Sequence, residues 1–372
     1  MKKLTEKLLE RNIPDLMRAP SGESVKTAEE WERTMRPYWR EMILAEEFGS
    51  CPEKITPSVN ATVERSLDFA GKATVESVTF TFERGERSHT VPCMLAYPKG
   101  AKEKPVPFFI FINFRSQFPD RYLPAEEIID GGFGIFSVCY QDITSDDGNF
   151  ENGLAGLFYD GERAPDGTSK IAYWAYFASA MMDYLLTRPE ADEGAIGISG
   201  HSRLGKTALL TAALDERFAF ACPNNSGCSG VALSRGKSDG AEHIRHITKN
   251  FPFWFCPNYL KYVDNEQAQA FDQHCLVALV APRAVFVGAA QEDTWADNDG
   301  QFLALAAASP VWELYGKRGL VTPDRMPEVG DVLIDGELGF YLRSGTHFQS
   351  RADWQFYMAA VGRYLKERDS NA

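Results

Sequence analysis

The sequence predicts an α/β protein in which a mostly parallel central sheet is covered by helices on both faces, giving three layers. Two observations support this fold class. Apolar runs that suit buried strands alternate with amphipathic segments that suit helices along much of the 372 residues. One such run, 195–199, ends abruptly at Gly-His-Ser, and a helical pattern begins at once.

The predicted elements follow an order typical of this class. They are a helical stretch at 25–48, an antiparallel hairpin at 74–82 and 88–97, strands at 106–114 and 133–140, a helix at 171–186, strands at 195–199, 281–290 and 339–343, and a helix from about 352 to 366. Residues 1–60 are expected to form a helical N-terminal extension leading into the antiparallel hairpin. Residues 229–270 show little regularity and are expected to form a cap or cleft wall. No linker or low-complexity run divides the chain, so we expect one domain over residues 1–372.

The junction at 200–205 has the pattern of a nucleophile elbow. Ser202 would stand at the tip of a strained strand-to-helix turn, where a histidine can take the proton of its hydroxyl. Gly200 and Gly205 supply small residues where the backbone doubles back. The helix beyond would aim its N-terminal N–H groups at a reacting carbonyl oxygen. Because Gly-x-Ser alone also fits a simple helix cap, the interpretation needs the other members of a catalytic triad.

In this arrangement the acid and the histidine follow the serine in that order. Asp293 lies just past the predicted strand 281–290, at the sheet edge where α/β enzymes place their sites. His347 lies in the loop after the last predicted strand, and the other five histidines fit the role less well. The rivals of Asp293 are Glu292, Asp297 and Asp299. The sequence therefore predicts an α/β-hydrolase fold with a Ser202–His347–Asp293 triad.

The segment 200–206 resembles the Gly-Cys/His-Ser-Arg-x-Gly-Lys signature of glucuronoyl esterases, carbohydrate esterase family 15. Further similar segments lie at 214–218, 225–230, 250–255, 271–274, 281–283, 293–297, 343–347 and 353–354. The resemblance implies a serine carboxylester hydrolase that cleaves the ester between 4-O-methylglucuronic acid side chains of xylan and lignin alcohols, with no metal or other cofactor. An acetyl xylan esterase or other carbohydrate esterase is one alternative. A catalytically silent carbohydrate-binding protein is another.

The resemblance also implies roles for residues around the serine. Arg203 matches an arginine that donates to the oxyanion, where a full charge supplements backbone N–H groups. Lys206 matches a lysine that binds sugar hydroxyls, and Trp295 matches a tryptophan that packs on the uronate. A buried anchor for the acid loop is the alternative for Trp295. His201 and Trp254 are further candidate substrate contacts, and His201 also fits a packed elbow residue.

The chain departs from the family pattern at two positions. His201 stands where many members have a disulfide-forming cysteine. Asn225 stands where fungal members carry the catalytic glutamate, so the acid must come from the loop after the late strand, which favours Asp293. The loop after 111–114 usually supplies a second oxyanion N–H, which makes Asn113 and Phe114 candidates.

Charge and composition exclude some classes of partner. The net charge of −13 argues against nucleic acid, which requires a basic face. No run suits a membrane span, and the charged start at 1–11 lacks the apolar core of a secretory signal. Seven cysteines, several in apolar segments, indicate free thiols in a reducing compartment. We expect a cytoplasmic protein acting on a glucuronoxylan-derived ester, or a secreted one if a native leader has been removed.

Overall fold

The computed structural model describes residues 3–19, 21–65 and 69–370. Its strands are β1 (Ser58–Arg65), β2 (Ala73–Arg84), β3 (Arg87–Pro98), β4 (Val106–Asn113), β5 (Gly134–Cys139), β6 (Ala191–His201), β7 (Phe220–Asn224), β8 (Ala284–Ala290), β9 (Val332–Leu333) and β10 (Leu338–Arg343). Within the described ranges these ten strands form one sheet in the order β1-β2-β3-β5-β4-β6-β7-β8-β10-β9.

The helices lie mostly between the strands. They are α1 (Leu4–Glu10), α2 (Ala28–Glu30), α3 (Arg36–Ile43), α4 (Ala125–Asp130), α5 (Tyr140–Ile143), α6 (Gly153–Phe158), α7 (Lys170–Leu185), α8 (Arg203–Leu214), α9 (Ile244–Asn250), α10 (Gln273–Ala278), α11 (Asn298–Leu314) and α12 (Arg351–Ser370). Two π-helical segments, Trp31–Met35 and Leu44–Phe48, make 28–48 one continuous helical stretch. Short 3₁₀ helices occur at Phe69–Gly71, Pro252–Trp254, Pro257–Tyr262, Glu266–Ala268 and Thr294–Ala296.

The centre of the sheet is parallel and its two ends are antiparallel. Neighbours from β5 through β4, β6, β7 and β8 to β10 pair in parallel, whereas β1, β2 and β3 form an antiparallel ribbon at one end and β9 closes the other. Parallel strands present their carboxyl ends at one edge, so the segments that follow β6, β8 and β10 meet there. These are the segments that carry the predicted serine, acid and histidine.

The sheet is buried on both faces, which explains why its central strands are continuously apolar. In β4, Phe108, Ile110 and Ile112 pack into the cluster that includes α7, α8, α10 and α11. Phe109 and Phe111 point to the opposite face, where α4 and α12 cover them. The predicted three-layer α/β-hydrolase fold is therefore confirmed.

Three strands differ from the sequence prediction, and one of them is the unpredicted β9, which has only two residues. β1 begins at Ser58, inside the region 1–60 that we expected to be helical, so that expectation is wrong for its last residues. β7 was not predicted, because it is only five residues long and contains Pro223, which cannot donate a ladder hydrogen bond. Met1, Lys2 and Pro20 of the expected extension lie outside the described residues. The single domain over 1–372 and the cap at 229–270 stay predictions.

Candidate active site

Ser202 occupies the strained turn between β6 and α8. Its backbone has φ 58° and ψ −123°, a conformation that non-glycine residues adopt only at a cost in free energy. The Ser202 N–H donates to the carbonyl of Asn224 at 2.8 Å, and the Ser202 carbonyl accepts from the N–H of Gly205 at 2.9 Å. These bonds hold the turn in place, as a nucleophile elbow requires.

The two glycines beside the serine are required by close backbone approach. A Cβ atom at Gly200 would lie 2.3 Å from the carbonyl oxygen of Leu204. A Cβ at Gly205 would lie 2.9 Å from the carbonyl oxygen of Asn224 and 3.0 Å from that of Gly200. Any larger residue at these positions would force the strand and helix apart.

His347 and Asp293 meet at the same edge of the sheet. Nδ1 of His347 lies 2.6 Å from Oδ2 of Asp293. The Asp293 side chain is 4% exposed, whereas that of His347 is 44% exposed. A carboxylate at Nδ1 favours the tautomer whose Nε2 can accept a proton, so the pair has the arrangement of an acid-oriented general base.

The rival carboxylates have other environments. Glu292 is exposed, and its N–H donates to the carbonyl of Gly345 at 3.0 Å. Asp297 is buried and accepts from the Gly300 N–H at 3.1 Å, which caps α11. Asp299 pairs with Lys7 at 3.2 Å. Asp293 is thus the member of this group whose carboxylate contacts the histidine.

The loop that carries His347 is clamped by Arg343, a residue that sequence reasoning assigned no separate role. Its guanidinium donates to the carbonyls of Ser344, Thr346 and Phe348, all within that loop. Nε donates to Oδ2 of the buried Asp353 at 2.8 Å. This buried ion pair fixes the loop to the first turn of α12.

Asn225 braces the strand that leads to the acid. Its Oδ1 accepts from the N–H of Ala290 at 3.0 Å, and its Nδ2 donates to Oδ1 of Asn224 at 3.3 Å. Ala290 is the last residue of β8, and its carbonyl accepts from the N–H of Asp293 at 3.0 Å. The side chain of Asn225 therefore contacts the residue just before the acid loop.

Arg203 is held beside the nucleophile by a carboxylate and by aromatic rings. Its Nη1 donates to Oδ2 of Asp146. Its Cζ lies 4.4 Å from the ring centroid of Trp254 and 5.0 Å from that of Phe251. Sequence reasoning missed Asp146, which lies in a polar segment that resembles an ordinary solvated turn.

The other predicted substrate contacts fall into exposed and buried groups. Trp295 is 47% exposed, which leaves part of its ring open to a ligand, and its role on the uronate stays a prediction. Trp254 is 3% exposed and its ring stacks on Phe251 at 3.9 Å, so the ring is not open to a sugar as we expected. Its Nε1 donates to Oδ1 of Asp146 at 2.6 Å instead.

Lys206 and His201 are both buried. The ammonium of Lys206 donates to the carbonyl of Ser226 at 2.5 Å, and burial lowers its pKa. Nδ1 of His201 lies 2.7 Å from Oδ1 of Asn224, and its ring lies 4.4 Å from the ring of His347. Burial, and after it the neighbouring His347, lower the pKa of His201 well below its usual value.

One of the two candidates for a second oxyanion donor is engaged. The N–H of Phe114 donates to Oδ1 of Asn113 at 2.8 Å. Nδ2 of the buried Asn113 has no hydrogen-bond partner among the described residues. The N–H of Phe114, a backbone donor of the kind this fold usually supplies from this loop, is therefore already hydrogen-bonded.

Three further observations concern metals, membranes and thiols. In the part of the chain that the structure describes, no group of three His, Cys, Asp or Glu side chains could hold a metal ion. None of the described helices is long and apolar enough to cross a membrane. The seven cysteines are free, including Cys222 and Cys228.

Comparisons with known proteins agree on one family. The sequence profile described as glucuronyl esterase, fungi, matches residues 80–316. A carbohydrate esterase from an unknown prokaryotic organism is 31% identical, over 95% of this chain and 89% of that protein. A 4-O-methyl-glucuronoyl methylesterase of Schizophyllum commune is 30% identical, over 82% of this chain and 74% of that protein.

Solved structures give the same result. A glucuronoyl esterase from Solibacter usitatus superposes with a TM-score of 0.87 and 32% sequence identity, covering 94% of this chain and 97% of that one. Both the sequence profile and the relatives span most of the chain. The protein therefore belongs to the glucuronyl esterase family and is a carboxylic ester hydrolase.

Proposed function

We propose that the protein cleaves 4-O-methyl-glucuronoyl esters that link xylan to lignin alcohols, through an acyl-enzyme on Ser202. The observation that carries this proposal is the 2.6 Å contact between His347 and Asp293 at the sheet edge where Ser202 occupies its strained turn. The substrate class follows the name of a relative, 4-O-methyl-glucuronoyl methylesterase.

In the first half-reaction, Oγ of Ser202 attacks the ester carbonyl while Nε2 of His347 takes the hydroxyl proton. The buried carboxylate of Asp293 stabilises the imidazolium that forms. The carbonyl π bond breaks and its electron pair moves to oxygen, giving a tetrahedral oxyanion. The backbone N–H of Arg203, the guanidinium of the same residue and the N-terminal end of α8 would stabilise this charge.

The first half-reaction ends when the oxyanion re-forms the carbonyl and the C–O bond to the alcohol breaks. His347 gives its proton to the departing oxygen, which leaves a uronoyl ester on Ser202. In the second half-reaction, water attacks this ester and gives a proton to His347. Collapse of the second oxyanion releases the uronic acid and returns the proton to Oγ of Ser202. No metal or redox cofactor is needed for any of these steps.

The substrate would lie against Trp295, whose exposed face suits the C–H face of a sugar ring. Residues 229–270 would form the adjoining cleft wall, because the N–H of Glu242 donates to the carbonyl of Trp295 at 2.9 Å. Lys206 would bind sugar hydroxyls by exchanging its bond to the Ser226 carbonyl. His201 would act by packing the elbow, since its ring is buried.

Turnover of benzyl or methyl glucuronate, measured beside a panel of acetyl esters, tests the proposed activity. The proposal predicts that the glucuronate esters give much the higher kcat/KM. Turnover of acetylated xylan with none of methyl glucuronate would identify an acetyl xylan esterase instead. Saccharide binding without hydrolysis of either group would identify a catalytically silent binding protein.

We also propose that the protein works inside the cell on imported oligosaccharides. Its seven free thiols support this placement, because cytosolic conditions keep cysteines reduced. Fractionation of the source cells, with sequencing of the N-terminus, checks it. Recovery of the full-length chain outside the cell would contradict the proposal.

A further inference from the structure

The carboxylate of Asp146 accepts hydrogen bonds from three side chains, those of Tyr140, Arg203 and Trp254. Oδ2 accepts from Nη1 of Arg203 and from the hydroxyl of Tyr140 at 2.9 Å, while Oδ1 accepts from Nε1 of Trp254 at 2.6 Å. The Asp146 side chain is only 7% exposed. A buried carboxylate with partners on both oxygens is held in one orientation, and each bond to its charge is stronger than a neutral hydrogen bond.

Arg203 needs such a partner because of its position in α8. As the first residue of the helix, it places a cation where the helix dipole disfavours one. The carboxylate of Asp146 offsets this cost, and the ring of Trp254, which donates to the same carboxylate, lies against the guanidinium. One hydrogen bond from Nη1 leaves other N–H groups of the guanidinium for a substrate oxygen.

The loop that carries Asp146 is itself fixed by a buried lysine at the start of α7. Nζ of Lys170 donates to Oγ1 of Thr144 at 3.0 Å, to Oγ of Ser145 at 3.2 Å and to the carbonyl of Asn149 at 2.5 Å. These acceptors lie on both sides of Asp146 in the sequence. Lys170 is fully buried, so its side chain is shielded from water at this position.

We propose that Asp146 is a positioning residue for catalysis: it orients the guanidinium of Arg203 toward the developing oxyanion, and Lys170 acts through the loop to hold Asp146. This inference rests on the proposed function, in which Arg203 stabilises the oxyanion. Asp146 touches no reacting atom. Its contribution is to hold the charged guanidinium of Arg203 in place before the substrate binds. A donor that is already in position lowers the barrier most, because it need not reorganise during the reaction.

A purely electrostatic view gives the opposite expectation, which makes the idea testable. Removing the negative charge of Asp146 would make the electrostatic potential around the guanidinium more positive. If the orientation of Arg203 were unchanged, the site would then attract the oxyanion more strongly. If orientation dominates, as we propose, Asp146→Asn lowers kcat by about tenfold or more with little change in KM. An increase in kcat would overturn the proposal.

The experiment is a double-mutant cycle on benzyl glucuronate with Arg203→Ala as the second change. Because Asp146 is proposed to act through Arg203, Asp146→Asn should slow the enzyme with Arg203 present and have almost no further effect in the Arg203→Ala background. Lys170→Met should behave in the same way. An equal loss of kcat in both backgrounds would mean a general structural role and would overturn the inference.

Two controls separate the possible failures. Asp166→Asn makes the same chemical change at an exposed residue outside this loop and should keep kcat within about twofold. If Arg203→Ala slows the enzyme but Asp146→Asn does not, the inference fails while the proposed function stands. If Arg203→Ala has full activity, the oxyanion role in the proposed function fails, and the inference falls with it.

Discussion

Asp293 and His347 are joined at 2.6 Å, yet one side chain is buried and the other is nearly half exposed. Shielded from water, the carboxylate interacts strongly with any charge that forms on the imidazole. The exposed part of the ring can meanwhile reach a substrate. This asymmetry suits a pair in which the acid orients and stabilises while the base exchanges protons.

Replacing Asp293 by Asn keeps its shape and removes the charge that stabilises the imidazolium. We expect kcat to fall by about 10³–10⁴. The matched control is Glu292→Gln, the same type of change at the exposed neighbour, which should matter little. Steady-state kinetics on benzyl glucuronate measures both, and full activity in Asp293→Asn would exclude Asp293 as the acid.

A carboxylate at position 225 should recover part of that loss. Asn225 contacts Ala290, from which the acid loop departs, and the resemblance to fungal members places a glutamate there. Asn225→Glu in the Asp293→Asn background is therefore expected to raise kcat above that of the single variant. If kcat does not rise, the side chain at 225 does not reach His347 in this protein.

Arg203→Ala should lower kcat by about 10²-fold or more and leave KM nearly unchanged, because the guanidinium is proposed to act on charge that exists only in the transition state. Kinetics across a range of substrate concentrations separates the two parameters. A rise in KM with kcat preserved would instead assign Arg203 to substrate binding.

Trp295→Ala should affect binding rather than chemistry. The indole is exposed and packs on His246 at 5.2 Å, so its removal takes away a flat apolar surface without disturbing the buried acid. We expect KM for glucuronate esters to rise several-fold while kcat changes little, with Trp295→Phe in between. A loss confined to kcat would show that Trp295 supports the acid loop.

The stability of the fold should depend on the ionisation of Glu47. This side chain is fully buried against Gln273, which donates to both carboxylate oxygens, and burial raises its pKa from 4.5 to about 8. The folded state therefore holds a proton that the unfolded state releases, so stability from this group is lost as pH rises from about 4.5 through 8.

Glu47→Gln imitates the protonated form and should lack this loss. Its stability relative to the wild type should improve by about 1 kcal/mol or more between pH 5 and pH 8. Urea unfolding at the two pH values measures the difference. A difference that does not change with pH would contradict the raised pKa.

The sequence predicted the elements that display the triad because each leaves a local pattern. The buried strands are apolar throughout, and Ser202, Asp293 and His347 each stand just past a strand that ends at one sheet edge. β1 and β7 lacked such patterns. One is an exposed edge strand and the other is short and broken by Pro223.

Contacts between segments far apart in the sequence could not be predicted from local patterns. Asp146 lies 57 residues from Arg203 and 108 from Trp254, and nothing in its polar loop distinguishes it from a solvated aspartate. The same holds for Trp254. An aromatic residue in an irregular segment can either bind a sugar ring at the surface or pack in the interior, and the sequence does not distinguish the two roles. Only the fold decides which of these side chains meet.

The rate of alcohol release from benzyl glucuronate by Ser202→Ala tests whether Ser202 is the nucleophile. If Ser202 is the nucleophile, kcat falls by at least about 10⁴-fold while the thermal unfolding temperature is essentially unchanged. Turnover within tenfold of the wild-type rate in the folded variant would contradict the account.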